Sequence, residues 1–183
     1  ATAAPGSDVE ASLRLTFAEA FHGVQKRFSA GSETVEVRIP PGAKQGSRVR
    51  VRGKGQLSPY GGGRGDLYLT IALEPHRFFR FEGDHLVCEV ALSPDEAVLG
   101  TTIEVPTPDG LVSVKVPPGV RSGQSLRLRG KGWPQPKGGR GDQLVRLSIE
   151  TPKTLSPTQR ELYEKIRANR SFNPRPHLQD IRL

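Results

Sequence analysis

The sequence predicts an all-β fold: two tandem β-sandwich-like domains of related sequence, followed by a short C-terminal helix. Three observations carry this expectation. Apolar and polar residues alternate with a period of two along most of the chain. One long pattern occurs twice. After the second copy the period changes to that of a helix.

The first copy reads VEVRIPPGAKQGSRVRVRGKG from Val35 to Gly55, then GGRGD from Gly62 to Asp66. The second reads VSVKVPPGVRSGQSLRLRGKG from Val112 to Gly132, then GGRGD from Gly138 to Asp142. The copies stand 77 residues apart at Pro40 and Pro117 and 76 apart at GGRGD, so one residue is lost in the loop between. Within each copy, Val35, Val37 and Ile39 oppose Glu36 and Arg38, and Val112, Val114 and Val116 oppose Ser113 and Lys115. These are half-buried strands with one wet face.

Taken in order, residues 1–7 (ATAAPGS) lack the charged start and apolar run of a signal peptide. They read as the stub of a flexible linker in a longer protein. The first domain is expected over 8–82 and the second over 83–154. Each begins with a strand, a Ser/Thr cap, one helical turn and a Gly stop. Leu13-x-Leu15-Thr16-Phe17-x-Glu19-Ala20-Phe21-x-Gly23 parallels Val90-x-Leu92-Ser93-Pro94-x-Glu96-Ala97-Val98-x-Gly100. Beyond them, Ser156-Pro157-Thr158-Gln159 is a capping box with Pro at the first helical position. Leu162, Tyr163 and Ile166 share an apolar stripe, and Glu161 and Lys165 make an i,i+4 pair. A helix over 155–170 follows, with an irregular tail over 171–183. Being short, it needs a docking surface.

Composition narrows the class. Hydrophobic content is 34%, and 21 Gly with 16 Pro point to turns, strands and modest cores. The net charge of +8 suits nucleic acid, an acidic peptide or simple solubility. Cys88 is the one cysteine, so an internal disulfide and a Cys-rich zinc site are excluded. A lone thiol fits a reducing compartment, and a cytoplasmic location is expected. No apolar run approaches a membrane span.

The doubled PPG…RGKG…GGRGD pattern, the LTFAEAFHG and LSPDEAVLG turns and EVPTPDG (Glu104–Gly110) together resemble the C-terminal substrate-binding region of DnaJ-type J-domain co-chaperones. The resemblance covers about Asp8 to Arg170. It implies two β-rich sandwich-like domains and a dimerising helix, here Leu162, Tyr163 and Ile166. It also implies a co-chaperone that binds exposed apolar segments of unfolded polypeptides and delivers them to a DnaK-type chaperone. Two departures stand out. No His-Pro-Asp signature occurs, so stimulation of the partner's ATPase is not expected of this chain alone. The CxxCxGxG repeats of zinc-bearing members are replaced by Ser29-Ala30-Gly31-Ser32-Glu33, as in the zinc-free subclass.

The resemblance also implies a peptide groove on the first domain, carried over to Ala11, Leu13, Phe28, Ala30 and Phe79. Lys26 and Arg27 flank Phe28 and would make a cationic rim for an acidic peptide, such as the partner's C-terminal tail. The competing reading keeps Leu13 and Phe28 as core residues and Lys26 and Arg27 as a solvated face, and it stays open at this level. In His76-Arg77-Phe78-Phe79-Arg80-Phe81, adjacent side chains of an extended segment point opposite ways, so Phe78 and Phe79 cannot serve one surface. A junction packed by all three Phe is the alternative.

Other motifs lead nowhere. GxxxxGK[ST] fails because Gly follows Lys in both RGKG segments. The Arg-Gly-Asp tripeptides at 64–66 and 140–142 read as turn chemistry. His22, His76, His85 and His177 have no metal-ligand spacing, and no nucleophile–base pair is suggested. No catalytic residue, metal or cofactor is therefore expected. A nucleic-acid-binding module is the alternative function, resting on the Arg48, Arg50, Arg52 stripe. Against it, the 19 acids are interspersed and only 6% of residues are aromatic, so nucleic acid is the less favoured partner. No membrane partner is expected.

Overall fold

Strand alternation builds the molecule from its first described residues. The computed structural model describes residues 4–30 and 33–183, and the side chain of Ala30 lies outside that description. The first module contains β1 (Val9–Leu15), α1 (Phe17–His22), β2 (Val24–Ala30), β3 (Glu33–Ile39), β4 (Arg48–Val51) and β5 (Leu67–Leu73). The second contains β7 (His85–Leu92), α2 (Pro94–Leu99), β8 (Thr101–Thr107), β9 (Gly110–Val116), β10 (Ser125–Leu128) and β11 (Gln143–Ile149), with β6 (Arg80–Glu82) before it. This is the all-β architecture with a short terminal helix that the alternation predicted.

Both modules use one plan. A three-stranded sheet, β1-β5-β4, has β1 parallel to β5 and β4 antiparallel. The β2–β3 hairpin forms a separate layer. Leu13, Leu15, Leu67, Leu69 and Ile71 from the sheet meet Val35, Val37 and Ile39 from the hairpin in one core. The second module repeats this with β7, β11, β10 and the β8–β9 hairpin around Cys88, Leu92, Val105, Val114, Val116, Val145 and Leu147.

The short helices follow their caps. Thr16 Oγ1 accepts from the Glu19 N–H at 3.1 Å, and the Thr16 N–H donates to Glu19 Oε1 at 2.9 Å. Ser93 and Glu96 make the same box in α2. Gly23 ends α1 at φ 78°, where a Cβ would meet the Ile39 carbonyl at 2.9 Å.

The RGKG and GGRGD motifs clasp each other. Gly53 N–H donates to Asp66 Oδ1 at 2.8 Å, and Arg64 Nε donates to the Gly55 carbonyl at 2.9 Å. The second module has the same bonds from Gly130 to Asp142 and from Arg140 to Gly132, both 2.9 Å. A hairpin carboxylate secures each clasp: Glu33 holds Lys54 and Arg64, and Asp109 holds Lys131 and Arg140. Arg-Gly-Asp is thus a structural pair of anchors around a close glycine approach.

Two features join the modules, and the alternation predicted neither. The sequence assigns Arg80–Glu82 to the end of the first domain. In the structure this segment pairs antiparallel with the start of β7, extending the second sheet as β6. Glu82 accepts from Arg146 of β11 at 2.7 and 2.9 Å, which fixes it there. Trp133, on the clasp loop of the second module, is only 3% exposed and belongs to the first module's core. Its ring lies 5.0–5.5 Å from those of Phe17, Phe21 and Phe81.

Residues through Ile149 form one compact unit and Glu150–Leu183 a second. In the second, α3 (Pro157–Asn169) begins with the Ser156–Gln159 capping box. Glu161–Lys165 and Arg160–Glu164 pair along its surface. Leu162, Tyr163 and Ile166 are exposed on it. Among the described residues, no helix is long and apolar enough to cross a membrane.

Candidate functional site

Among the described residues, the sheet order leaves β1 with a partner on one side only. The Val9 N–H donates to the Asp66 carbonyl at 2.8 Å, and the Leu15 carbonyl accepts from Glu74 at 2.8 Å, so odd-numbered backbone groups face β5. The N–H and C=O groups of Glu10, Ser12 and Arg14 therefore point to the open edge. The inner face of β2 abuts that edge, because Lys26 Nζ donates to the Arg14 carbonyl at 3.3 Å. An open strand edge flanked by apolar side chains is the geometry that takes an added strand.

The sequence-derived positions fall around this edge as follows. Ala11 and Phe28 are half-buried, and both pack on the first module's core. Leu13 belongs to that core and is 7% exposed. Ala30 pairs with Glu33 at the hairpin end, and its side chain lies outside the described residues. Phe79 is half-buried at the junction, packed against both cores and T-shaped against Phe78 at 5.0 Å. Phe78 packs on the second core as Phe79 does, and Phe81 on the first, so the expectation that Phe78 and Phe79 serve different surfaces fails: residues 74–79 are not a strand, and the three Phe share the junction.

Lys26 and Arg27 do not form one rim. Cross-strand pairing puts Lys26 opposite Val37 and Phe28 opposite Val35, so Lys26 lies in the inward register of β2 with Val24 and Phe28. Arg27 points to the other face, opposite Glu36, and pairs with it at 3.4 Å. Lys26 Nζ instead reaches Glu19 Oε2 at 3.0 Å as well as the Arg14 carbonyl. The Thr16 N–H donating to Glu19, with Lys26 beside it, holds the Glu19 carboxyl below the ordinary carboxylate range. A Lys within the alternation Val24-x-Lys26-x-Phe28 was the sequence signal for this inward charge.

The repeat supplies an internal control. The counterparts of Ala11 and Phe28 are Cys88 and Val105, and both are 0% exposed. The counterpart of Lys26 is Ile103, which packs on the second core. The edge of β7 matching that of β1 is covered at its start by β6, with Arg80 opposite Val87. Beyond Val87 that edge has no strand against it among the described residues, so the modules differ in the filled sites at Cys88 and Val105 and not along the whole edge. Trp133 and β6 were missed at the sequence level, and the available signals were a lone Trp directly after RGKG and the two-residue Gly83-Asp84 turn that joins β6 to β7.

The remaining chemistry is structural. Among the described residues, no group of His, Cys, Asp and Glu could hold a metal ion. Burial pushes the Cys88 thiol up, and Gln143 Nε2 donates to its sulfur at 3.3 Å. In the basic stripe, Arg48 pairs with Glu10 and Arg50 with Asp66, both at 2.8 Å, and Arg48 lies 4.6 Å over the Tyr68 ring. Those two guanidinium groups are occupied within the sheet.

The model of the DnaJ C terminal domain family matches residues 9–152, from the start of β1 to just past the end of the two-module unit. The chain belongs to the DnaJ C-terminal domain family. Its relatives agree. A DnaJ-like protein of Synechocystis sp. is 69% identical over 172 residues, covering 94% of this chain and 52% of that protein. A chaperone protein DnaJ 2 of the same organism is 43% identical over 95% of this chain and 55% of its own length. A chaperone protein DnaJ of Opitutus terrae is 49% identical over 71% of this chain and 34% of its own. The chain thus spans about half the length of the first two relatives. Within the family's region, β1 of the first module keeps an open edge beside half-buried Phe28.

Proposed function

We propose that this DnaJ C-terminal region captures exposed apolar segments of non-native polypeptides on its first module and delivers them to a DnaK-type chaperone. The open edge of β1 beside half-buried Phe28 carries the reading; in the second module the counterparts of Ala11 and Phe28, Cys88 and Val105, are fully buried. An extended client segment would pair its backbone with Glu10, Ser12 and Arg14 and bury side chains against Ala11, Leu13 and Phe28. No covalent chemistry is needed. A cytoplasmic setting suits such a role.

We also infer that the exposed stripe of Leu162, Tyr163 and Ile166 pairs two copies. Two first-module edges on one client would raise avidity through effective concentration. The domain division at 82/83 is retained as a functional one, with capture assigned to the first module.

Suppression of aggregation of a chemically denatured protein tests capture. Phe28→Ser removes roughly 1.5–3 kcal/mol of apolar burial for a bound side chain, which is about tenfold or more in affinity. Unchanged suppression by a folded Phe28→Ser protein would reject the site.

A further inference from the structure

We infer that Lys26 is a removable guard of the β1 edge, seated on a backbone acceptor that a client strand must use; this rests on the capture site proposed above. Long open edges invite pairing with any chain, and an inward-pointing charge is one way of blunting them. Lys26 stands in the inward register of β2, between Val24 and Phe28, where alternation calls for an apolar side chain. Its ammonium takes the Arg14 carbonyl at 3.3 Å and is anchored by Glu19 at 3.0 Å. Both side chains of that ion pair are about a third exposed or less, at 30% and 27%. The pair is therefore less screened than a surface one.

The second module shows that the fold does not need this lysine. There Ile103 holds the position and packs inward, and Glu96 serves only its own helix cap, accepting from Ser93 N–H at 3.0 Å and Ser93 Oγ at 3.1 Å. In that module β6 lies antiparallel on the start of the edge, at His85–Val87, and does not reach Ala91, the counterpart of Arg14. The guard thus occurs in the module whose edge has no covering strand. Strand addition at β1 must first lift Lys26 from the Arg14 carbonyl, so the guard lowers affinity for every apolar segment. It leaves the edge closed to weak partners, including a second copy of the same edge.

The test is fluorescence anisotropy of a labelled, uncharged apolar peptide with the full chain and three variants. Lys26→Met keeps the stem and removes the charge. Glu19→Gln keeps the Thr16 cap and loosens the anchor. Phe28→Ser reports on the site itself. Lys26→Met is expected to tighten binding roughly threefold to tenfold, the worth of one displaced hydrogen bond, and Glu19→Gln by about half as much on the logarithmic scale. Added salt should tighten binding to the native chain and leave Lys26→Met unmoved. If Phe28→Ser weakens binding while Lys26→Met leaves it unchanged or weaker, the guard is rejected and the site stands. If Phe28→Ser has no effect, site and guard fall together. Should Lys26→Met not fold, the Glu19→Gln affinity and its salt dependence decide alone.

Discussion

Trp133 Nε1 donates to the Ala43 carbonyl at 3.0 Å, across 90 residues of sequence and from one module into the other. That bond sits inside an aromatic cluster of Phe17, Phe21 and Phe81, so the second module's clasp loop completes the first module's core. Trp133→Ala should destabilise the two-module unit by about 3–5 kcal/mol, read as a shift of the urea midpoint. Trp133→Phe keeps most packing but strands the Ala43 carbonyl, costing about 1–3 kcal/mol. A native midpoint in Trp133→Ala would refute the plug.

Glu82 predicts an acid-sensitive junction. The Arg146 guanidinium donating to it, with Arg80 beside it, holds its carboxyl at about 2, against an ordinary 4.5. A lowered folded-state pKa stabilises above 4.5 and is lost as pH falls towards 2. The Tm of the native chain should therefore fall across that window more steeply than that of Glu82→Gln. Other paired carboxylates titrate in the same direction, so the difference between the two proteins is the measurement. Parallel curves would dismiss the contribution.

Gly55 predicts a packing constraint rather than a conformational one. A Cβ there would meet the Gly65 carbonyl carbon at 2.6 Å and the Asp66 nitrogen at 2.7 Å. Gly55→Ala should cost about 1–3 kcal/mol by overpacking the clasp, and Gly132→Ala should do the same in the second module. Urea titration followed by circular dichroism is the check, and a neutral pair of variants would contradict the close approach.

Removing residues 156–183 should give monomers by light scattering, with unchanged melting of the two-module unit. A persistent dimer would place the interface elsewhere than on Leu162, Tyr163 and Ile166.

The repeat, the capping boxes at Thr16 and Ser156 and the alternation of Val35, Val37 and Ile39 were all legible, because each depends on residues near in sequence. The inward seat of Lys26 was legible too, as a polar residue in an apolar register, but only alongside its partner strand does it acquire meaning. The family's groove positions Ala11, Leu13 and Phe28 gather on one core, whereas Lys26 and Arg27 part to opposite faces. That separation follows from the period of two that every strand obeys.

By itself the sequence determined two β modules on one plan, their turns, their caps and a separate terminal helix. Local hydrogen bonding and side-chain periodicity suffice for those. Only the tertiary structure decided that Glu82 is tied to Arg146 of β11, that Trp133 plugs the first module and that β1 keeps an open edge. Each of these depends on which strands lie side by side, and sheet order is set by contacts between residues 60 to 90 positions apart, such as Glu82 with Arg146 and Ala43 with Trp133. No local pattern encodes a neighbour at that distance.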